Sequence, residues 1–146
     1  MVRSLDYETT QSYELEVLVE DGGSPSKNET AVLTINVQNV NDEPPYFLVN
    51  NYSVSVLENF FLNQSSTLIL QVQAMDADAA PFNRIKYKMR SGDASIFQIG
   101  EDDGWISLLR PLDREEQETY QVEIEASNEG EFSLDLHYWP LISITE

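Results

Sequence analysis

Apolar residues recur at every second position along most of the chain: Tyr13, Leu15, Val17 and Val19; Leu33, Ile35 and Val37; Tyr52, Val54 and Val56; Leu68, Leu70, Val72 and Ala74. The pattern continues through Ile85, Tyr87, Met89, then Phe97, Ile99, then Ile106, Leu108, then Tyr120, Val122, Ile124, Ala126, and ends at Ile142 and Ile144. A period of two puts these side chains on one face of a strand and the polar ones on the other. Strands with one buried and one wet face belong to antiparallel sheets. Turn-forming clusters divide them: Asp21-Gly22-Gly23-Ser24-Pro25, Ser91-Gly92-Asp93, Asp102-Asp103-Gly104 and Asn128-Glu129-Gly130. No segment sustains a helical period. About seven strands in a unit of roughly 100 residues predict an all-β fold, a seven-strand Greek-key β-sandwich of immunoglobulin-like architecture.

The strands also repeat as a set. A shift of 107 residues lays Leu5-Asp6-Tyr7-Glu8 on Leu112-Asp113-Arg114-Glu115, Tyr13 on Tyr120, Glu16 on Glu123, Gly23 on Gly130 and Ile35 on Ile142, with nine of 39 overlapping positions identical. That period is of domain size and suits a tandem array. Between the repeats lies the oxygen-rich run Asn39-Val40-Asn41-Asp42-Glu43, stopped by Pro44 and Pro45. The expected organisation is the C-terminal third of a truncated repeat over residues 1–39, a linker over 40–45, and a complete repeat over 46–146. A complete repeat is long enough to bury a core.

With 26 acidic against 8 basic residues the net charge is −18, which disfavours nucleic acid as a partner, because affinity for phosphate backbones rests on Lys and Arg. Cations are the natural partners. A hydrophobic content of 41%, with seven Tyr and six Phe, is too apolar for a disordered acidic tail. The chain has no cysteine, so disulfides contribute nothing to its stability. Neither a signal peptide nor an apolar run of membrane-spanning length occurs within these residues.

Four kinds of motif, in order and at a consistent period, resemble the extracellular repeats of the cadherin superfamily. Asn39-Val40-Asn41-Asp42-Glu43-Pro44 resembles that family's DxNDNxP linker, and Asp76-Ala77-Asp78 with Asn83 resembles its DxDxGxN loop. Asp113-Arg114-Glu115 matches DRE and Asp6-Tyr7-Glu8 its DxE form, while Glu58 with Asn59 sits where the family places its early acidic residue. The similarity covers the whole chain. It implies calcium, a hard cation that takes six to eight oxygen ligands. An extended D-x-E or D-x-D would place both carboxylates on one side, so each motif is expected to contribute a pair.

Carried over by position, the resemblance implies a calcium cluster held by Asp6, Glu8, Asn41, Asp42, Asp76 and Asp78, completed by the carbonyls of Val40, Glu43 and Asn83. Glu58, Asp113 and Glu115 would form part of a further site towards a following repeat. Several positions depart from the family pattern. Asn39 and Glu43 replace the first Asp and last Asn of the linker motif, and the loop from Asp76 to Asn83 is one residue longer and lacks the glycine. Asn128 stands where the family usually has Asp, as Asp21 does in the first repeat, which implies a weakened third ion beside Asn128.

Other polar residues have simpler readings. Asp102 and Asp103 read as turn residues, because Asp-Gly favours a tight turn, and Trp105 and Trp139 as packing residues. His137, the single histidine, has no sequence-supported nucleophile beside it. Asn28-Glu29-Thr30, Asn51-Tyr52-Ser53 and Asn63-Gln64-Ser65 fit the N-glycosylation sequon. A calcium-independent binding sandwich would make the acidic motifs incidental, and a glycosidase would need two carboxylates facing a cleft rather than acids clustered at chain junctions. The resemblance implies instead a non-enzymatic, calcium-dependent cell-adhesion ectodomain, the extracellular portion of a membrane-anchored plasma-membrane protein. Its partners would be other cadherin-type ectodomains, homophilic or heterophilic, and its calcium ions would stiffen tandem repeats.

Overall fold

Among the described residues of the computed structural model, 4–57, 66–128 and 141–145, every regular element is a β-strand. The chain forms two units, Met1–Val40 and Asn41–Glu146. In the first, strands β1 (Ser12–Glu20) and β2 (Asn28–Asn36) make an antiparallel hairpin. Its turn is held by Asp21, whose carboxylate accepts the backbone N–H groups of Gly23 at 3.0 Å and Lys27 at 2.8 Å. Tyr13, Leu15 and Val17 face Ile35, Leu33 and Ala31 across the ribbon. Two strands offer no second layer, and the apolar side chains of this hairpin stay largely exposed.

The second unit holds β3 (Tyr46–Phe47), β4 (Asn51–Ser55), β5 (Thr67–Gln71), β6 (Ala74–Met75), β7 (Ile85–Ser91), β8 (Phe97–Ile99), β9 (Trp105–Leu108), β10 (Thr119–Asn128) and β11 (Leu141–Thr145). One sheet has the order β4-β11-β10-β7, with β4 parallel to β11. Opposite it run β5-β9-β8 and the short ladder β3-β6. Residues 46–55 thus switch from the second sheet to the first, and residues 67–75 are interrupted at Val72 and Gln73. Bridging these two interruptions leaves seven strands among the described residues, the number expected of a sandwich.

Both sheets contribute to one core. Tyr120, Val122, Ile124 and Ala126 of β10 and Ile142 of β11 meet Phe97, Ile106 and Leu108 from the facing sheet, and the rings of Phe97 and Tyr120 cross edge to face at 5.5 Å. Alternation misplaces one residue. A bulge between Leu68 and Leu70 shifts the register against β9, so Leu68 is 58% exposed while Ile69 and Leu70 pack on the core. The Asp102-Asp103-Gly104 turn is as expected: Asp103 accepts the Trp105 N–H at 3.1 Å, and Gly104 has φ of 68°. A Cβ there would lie 2.5 Å from the Val72 carbonyl oxygen, which leaves room only for glycine.

The repeat is internal to the pairing too, with one revision. Tyr13 pairs with Ile35, but its counterpart Tyr120 pairs with Ile144, not Ile142. The second hairpin therefore carries two extra residues between Asn128 and Leu141, and beyond them the true shift is 109, which lays Val32-Leu33-Thr34-Ile35-Asn36 on Leu141-Ile142-Ser143-Ile144-Thr145. An even displacement keeps every side chain on its own face. His137, Trp139 and residues 58–65 lie outside the described residues.

The burial contrast sets a stability expectation. Phe97→Ala should destabilise the second unit by about 3–5 kcal/mol, whereas Val17→Ala, at an exposed ribbon position, should change stability by less than about 0.5 kcal/mol. Chemical denaturation followed by fluorescence checks both, and equal losses would contradict this placement of the core.

Candidate metal centre

Each acidic motif folds into a turn closed by its own first aspartate. In the first unit Asp6 Oδ1 accepts the N–H groups of Glu8 at 3.0 Å and Thr9 at 3.2 Å, and Oδ2 accepts the Thr9 hydroxyl at 2.6 Å. Asp113 does the same for Glu115 at 3.0 Å and Glu116 at 3.4 Å. The Asp76 Oδ1 accepts the Asp78 N–H at 2.9 Å. This corrects the expectation of extended D-x-E and D-x-D pairs: an Asp side chain reaches the amide two residues on, and the bond bends the chain into an Asx turn. The motifs share this because the first Asp at each supplies the cap while the second acidic residue is left to other partners.

In the second unit the turns gather acids and amides at one rim. Asn41, Asp42 and Glu43 enter from the chain preceding β3, Asp76 and Asp78 from the loop after β6, and Asn128 from the end of β10. The Glu43 N–H approaches Asp78 Oδ2 at 3.4 Å. Asn128 Nδ2 donates to Asn41 Oδ1 and to Asp76 Oδ2, each at 2.8 Å, and Asn41 Nδ2 returns a longer bond of 3.4 Å to Asn128 Oδ1. Carboxylate oxygens of Asp42 and Asp78 lie within 4.8 Å of one another. Asp78 is only 3% exposed, and burying an anion is strongly unfavourable without compensating charge or hydrogen bonds.

These donors fit calcium. With Ca–O distances of about 2.3 to 2.6 Å, one ion can touch two oxygens up to about 5.2 Å apart, and the Asp42–Asp78 spacing falls inside that span. Without a cation, two ionised carboxylates at that spacing repel by roughly 3.5 kcal/mol at an effective dielectric near 20, before salt reduces it. The remaining expected ligands lie as follows. Asp6 and Glu8 belong to the first unit, which ends at Val40, and Asn83 is exposed in the turn before β7. Asp113 and Glu115 occupy their own exposed turn between β9 and β10. Glu58, Asn59 and Asn63 lie outside the described residues. Asn28 and Asn51 are exposed at the starts of β2 and β4. Asp102 is engaged elsewhere, in an ion pair with Lys86 at 2.7 Å.

The same cadherin-domain family model matches residues 1–38 and 52–136. The chain belongs to the cadherin family. This cadherin chain is 39% identical over 132 residues to the human Cadherin EGF LAG seven-pass G-type receptor 2, a match covering 89% of the chain and 4% of the relative. It is 37% identical over 131 residues to the Protocadherin-like wing polarity protein stan of Drosophila melanogaster, again covering 89% of the chain and 4% of the relative. The chain thus spans a small part of the length of these relatives. Among solved structures, mouse Cadherin-23 EC22-24 superposes with a TM-score of 0.84 at 28% identity, covering 98% of this chain and 44% of that one. Mouse clustered PcdhgC3 EC1-3 gives 0.85 at 25% identity, with 98% and 45% covered. The β-sandwich is therefore that of cadherin extracellular repeats. Among the described residues no helix is long and apolar enough to cross a membrane.

Sequence reasoning did not anticipate two contacts: the reciprocal Asn41–Asn128 amide pair and the Thr9 hydroxyl on Asp6. The second had a signal, since Asp followed three residues later by Thr is a local capping pattern. The Thr9 hydroxyl, then the Thr9 and Glu8 amides, hold the Asp6 carboxyl below the usual carboxylate range. The lowered pKa means that the ionised side chain supports this turn above the ordinary Asp range, and the support is lost as pH falls through the depressed value. Thr9→Val should raise the Asp6 midpoint towards the ordinary value in a carboxyl-carbon NMR titration. An unmoved midpoint would rule out the hydroxyl as the cause.

Proposed function

We propose that this chain is part of a calcium-dependent adhesion ectodomain, in which calcium bound at the repeat junction turns a hinge into a stiff connection. The observation that carries the reading is the Asp42–Asp78 pair, two carboxylates within 4.8 Å, one of them buried, brought together from the linker and the following loop. Asp42 and Asp78 would lead the coordination with the carbonyls of Glu43 and Asn83, and Asp76 and Asn41 would add oxygen lone pairs left over from the bonds they accept from Asn128. Asp6, Glu8 and the Val40 carbonyl would supply the ligands of the preceding repeat. Bound calcium would neutralise the repulsion among these acids and tie separate stretches of chain to common ions. Glu58, Asp113 and Glu115 would serve a neighbouring junction in the same way. The role is mechanical and adhesive rather than enzymatic.

Membership of the cadherin family, and relatives whose names include a seven-pass receptor, support placing the parent protein in the plasma membrane with these repeats outside the cell. Partners would be other cadherin-type ectodomains, homophilic or heterophilic. Exposed Asn28 and Asn51, together with Asn63, would carry glycans there.

Calorimetric calcium titration of the chain tests the reading. Binding is expected at about 10⁻⁴ to 10⁻³ M, the range of extracellular calcium modules. Asp42→Ala or Asp78→Ala should weaken it about tenfold or more, since each removes a charged ligand from a site with few. Asp102→Ala and Asp103→Ala, in the turn before β9, should leave it within about twofold. Equal losses in all four variants would overturn the assignment.

A further inference from the structure

We propose that Asn128 is a metal-free latch: its side-chain amide holds the outer corner of the rim closed, occupying the place between Asn41 and Asp76 that a cation would otherwise bridge. The proposal rests on the calcium reading above only for the identity of that cation.

The hydrogen-bond chemistry leaves one arrangement. An ionised Asp76 can only accept, so the atom of Asn128 lying 2.8 Å from Asp76 Oδ2 must be Nδ2. With Nδ2 fixed there, its second hydrogen meets Asn41 at 2.8 Å, and the facing atom must be the Asn41 oxygen. Both hydrogens of the Asn128 amide are thereby used, and its oxygen receives Asn41 Nδ2 at 3.4 Å. The other Asp76 oxygen is held by the Asp78 amide at 2.9 Å. Three segments distant in sequence, the chain before β3, the loop after β6 and the end of β10, are joined by these side-chain hydrogen bonds.

An aspartate in this place would invert the chemistry. It would set a carboxylate oxygen against Asp76 Oδ2 at hydrogen-bond distance with no proton between them, an arrangement that needs a cation or an added proton. Asp21, the corresponding residue of the first unit, keeps its carboxylate on the backbone of its own turn. Asn128 therefore separates two behaviours at one rim: the Asp42–Asp78 pair responds to calcium, whereas the Asn41–Asp76–Asn128 corner remains closed whether or not calcium is present.

The test uses the full chain and its Asn128→Asp variant, each in a chelator and in millimolar calcium, with thermal unfolding and NMR of the Asn128 side-chain amide. The wild type should show hydrogen-bonded Asn128 amide resonances in chelator that calcium leaves in place. Asn128→Asp should melt about 5 °C lower than the wild type in chelator and recover on adding calcium, so that its calcium-induced rise exceeds that of the wild type. Its calcium stoichiometry should increase by about one ion. Equal melting temperatures in chelator together with equal calcium-induced rises would overturn the latch, as would wild-type Asn128 resonances that lose their hydrogen-bonded shifts when calcium binds. A variant less stable in chelator, with neither chain responding to calcium and the wild-type amide still bonded, would uphold the latch and remove the calcium reading instead.

Discussion

Burial of the inward face of β10 is the constraint on which the second unit depends. This strand is paired on one side with β7 and on the other with β11, and Val122 and Ile124 are completely buried beneath Phe97, Ile106 and Leu108 of the opposite sheet. A strand held by two neighbours and covered by a second layer has little freedom to shift, because a one-residue slip would turn its whole apolar set to water. The consequence reaches the rim. Asn128 is the last residue of β10, so the register that buries Ile124 also delivers the Asn128 amide to Asn41 and Asp76.

A chain of net charge −18 manages its acids by two means. Most capping aspartates accept backbone N–H groups within their own turns, as Asp6, Asp21, Asp76, Asp93 and Asp113 do. Asp21 and Asp93 are held below the ordinary carboxylate range by hydrogen bonds of their own turns, Asp21 chiefly by the Lys27 amide and Asp93 chiefly by the Ser95 hydroxyl and then the Ser95 amide. The local bonds shape the loops and keep charge near N–H dipoles. They also leave Asp42 and Asp78 as the close carboxylate pair of the second unit.

The alternation of apolar residues was enough to read the strands and the sandwich, since a period of two admits few other folds. Its failure at Leu68 has a local cause, a bulge that two neighbouring apolar residues do not announce. The family motifs located the acidic turns but suggested extended pairs, whereas the bond from each first Asp to the amide two residues on offers the backbone a local alternative to extended chain. The two-residue offset in the second hairpin was legible in retrospect: Leu141-Ile142-Ser143-Ile144-Thr145 matches Val32-Leu33-Thr34-Ile35-Asn36 in polarity at every position. A gapless shift hid it, because an even displacement preserves the alternation.

By itself the sequence determined that the chain is built of strands, that it repeats, and that oxygen-bearing residues collect at turns, all consequences of local pattern and composition. Tertiary structure alone decided burial. Val17 and Ile124 occupy equivalent positions in the repeat, yet one is 51% exposed in a two-stranded ribbon and the other is completely buried under a second sheet. It also decided partnership, because Asn41, Asp76 and Asn128 are separated by 35 and 52 positions in the chain and no local rule brings them together. Hydrogen bonds between such residues depend on how the sheets pack, and packing is a property of all the strands at once.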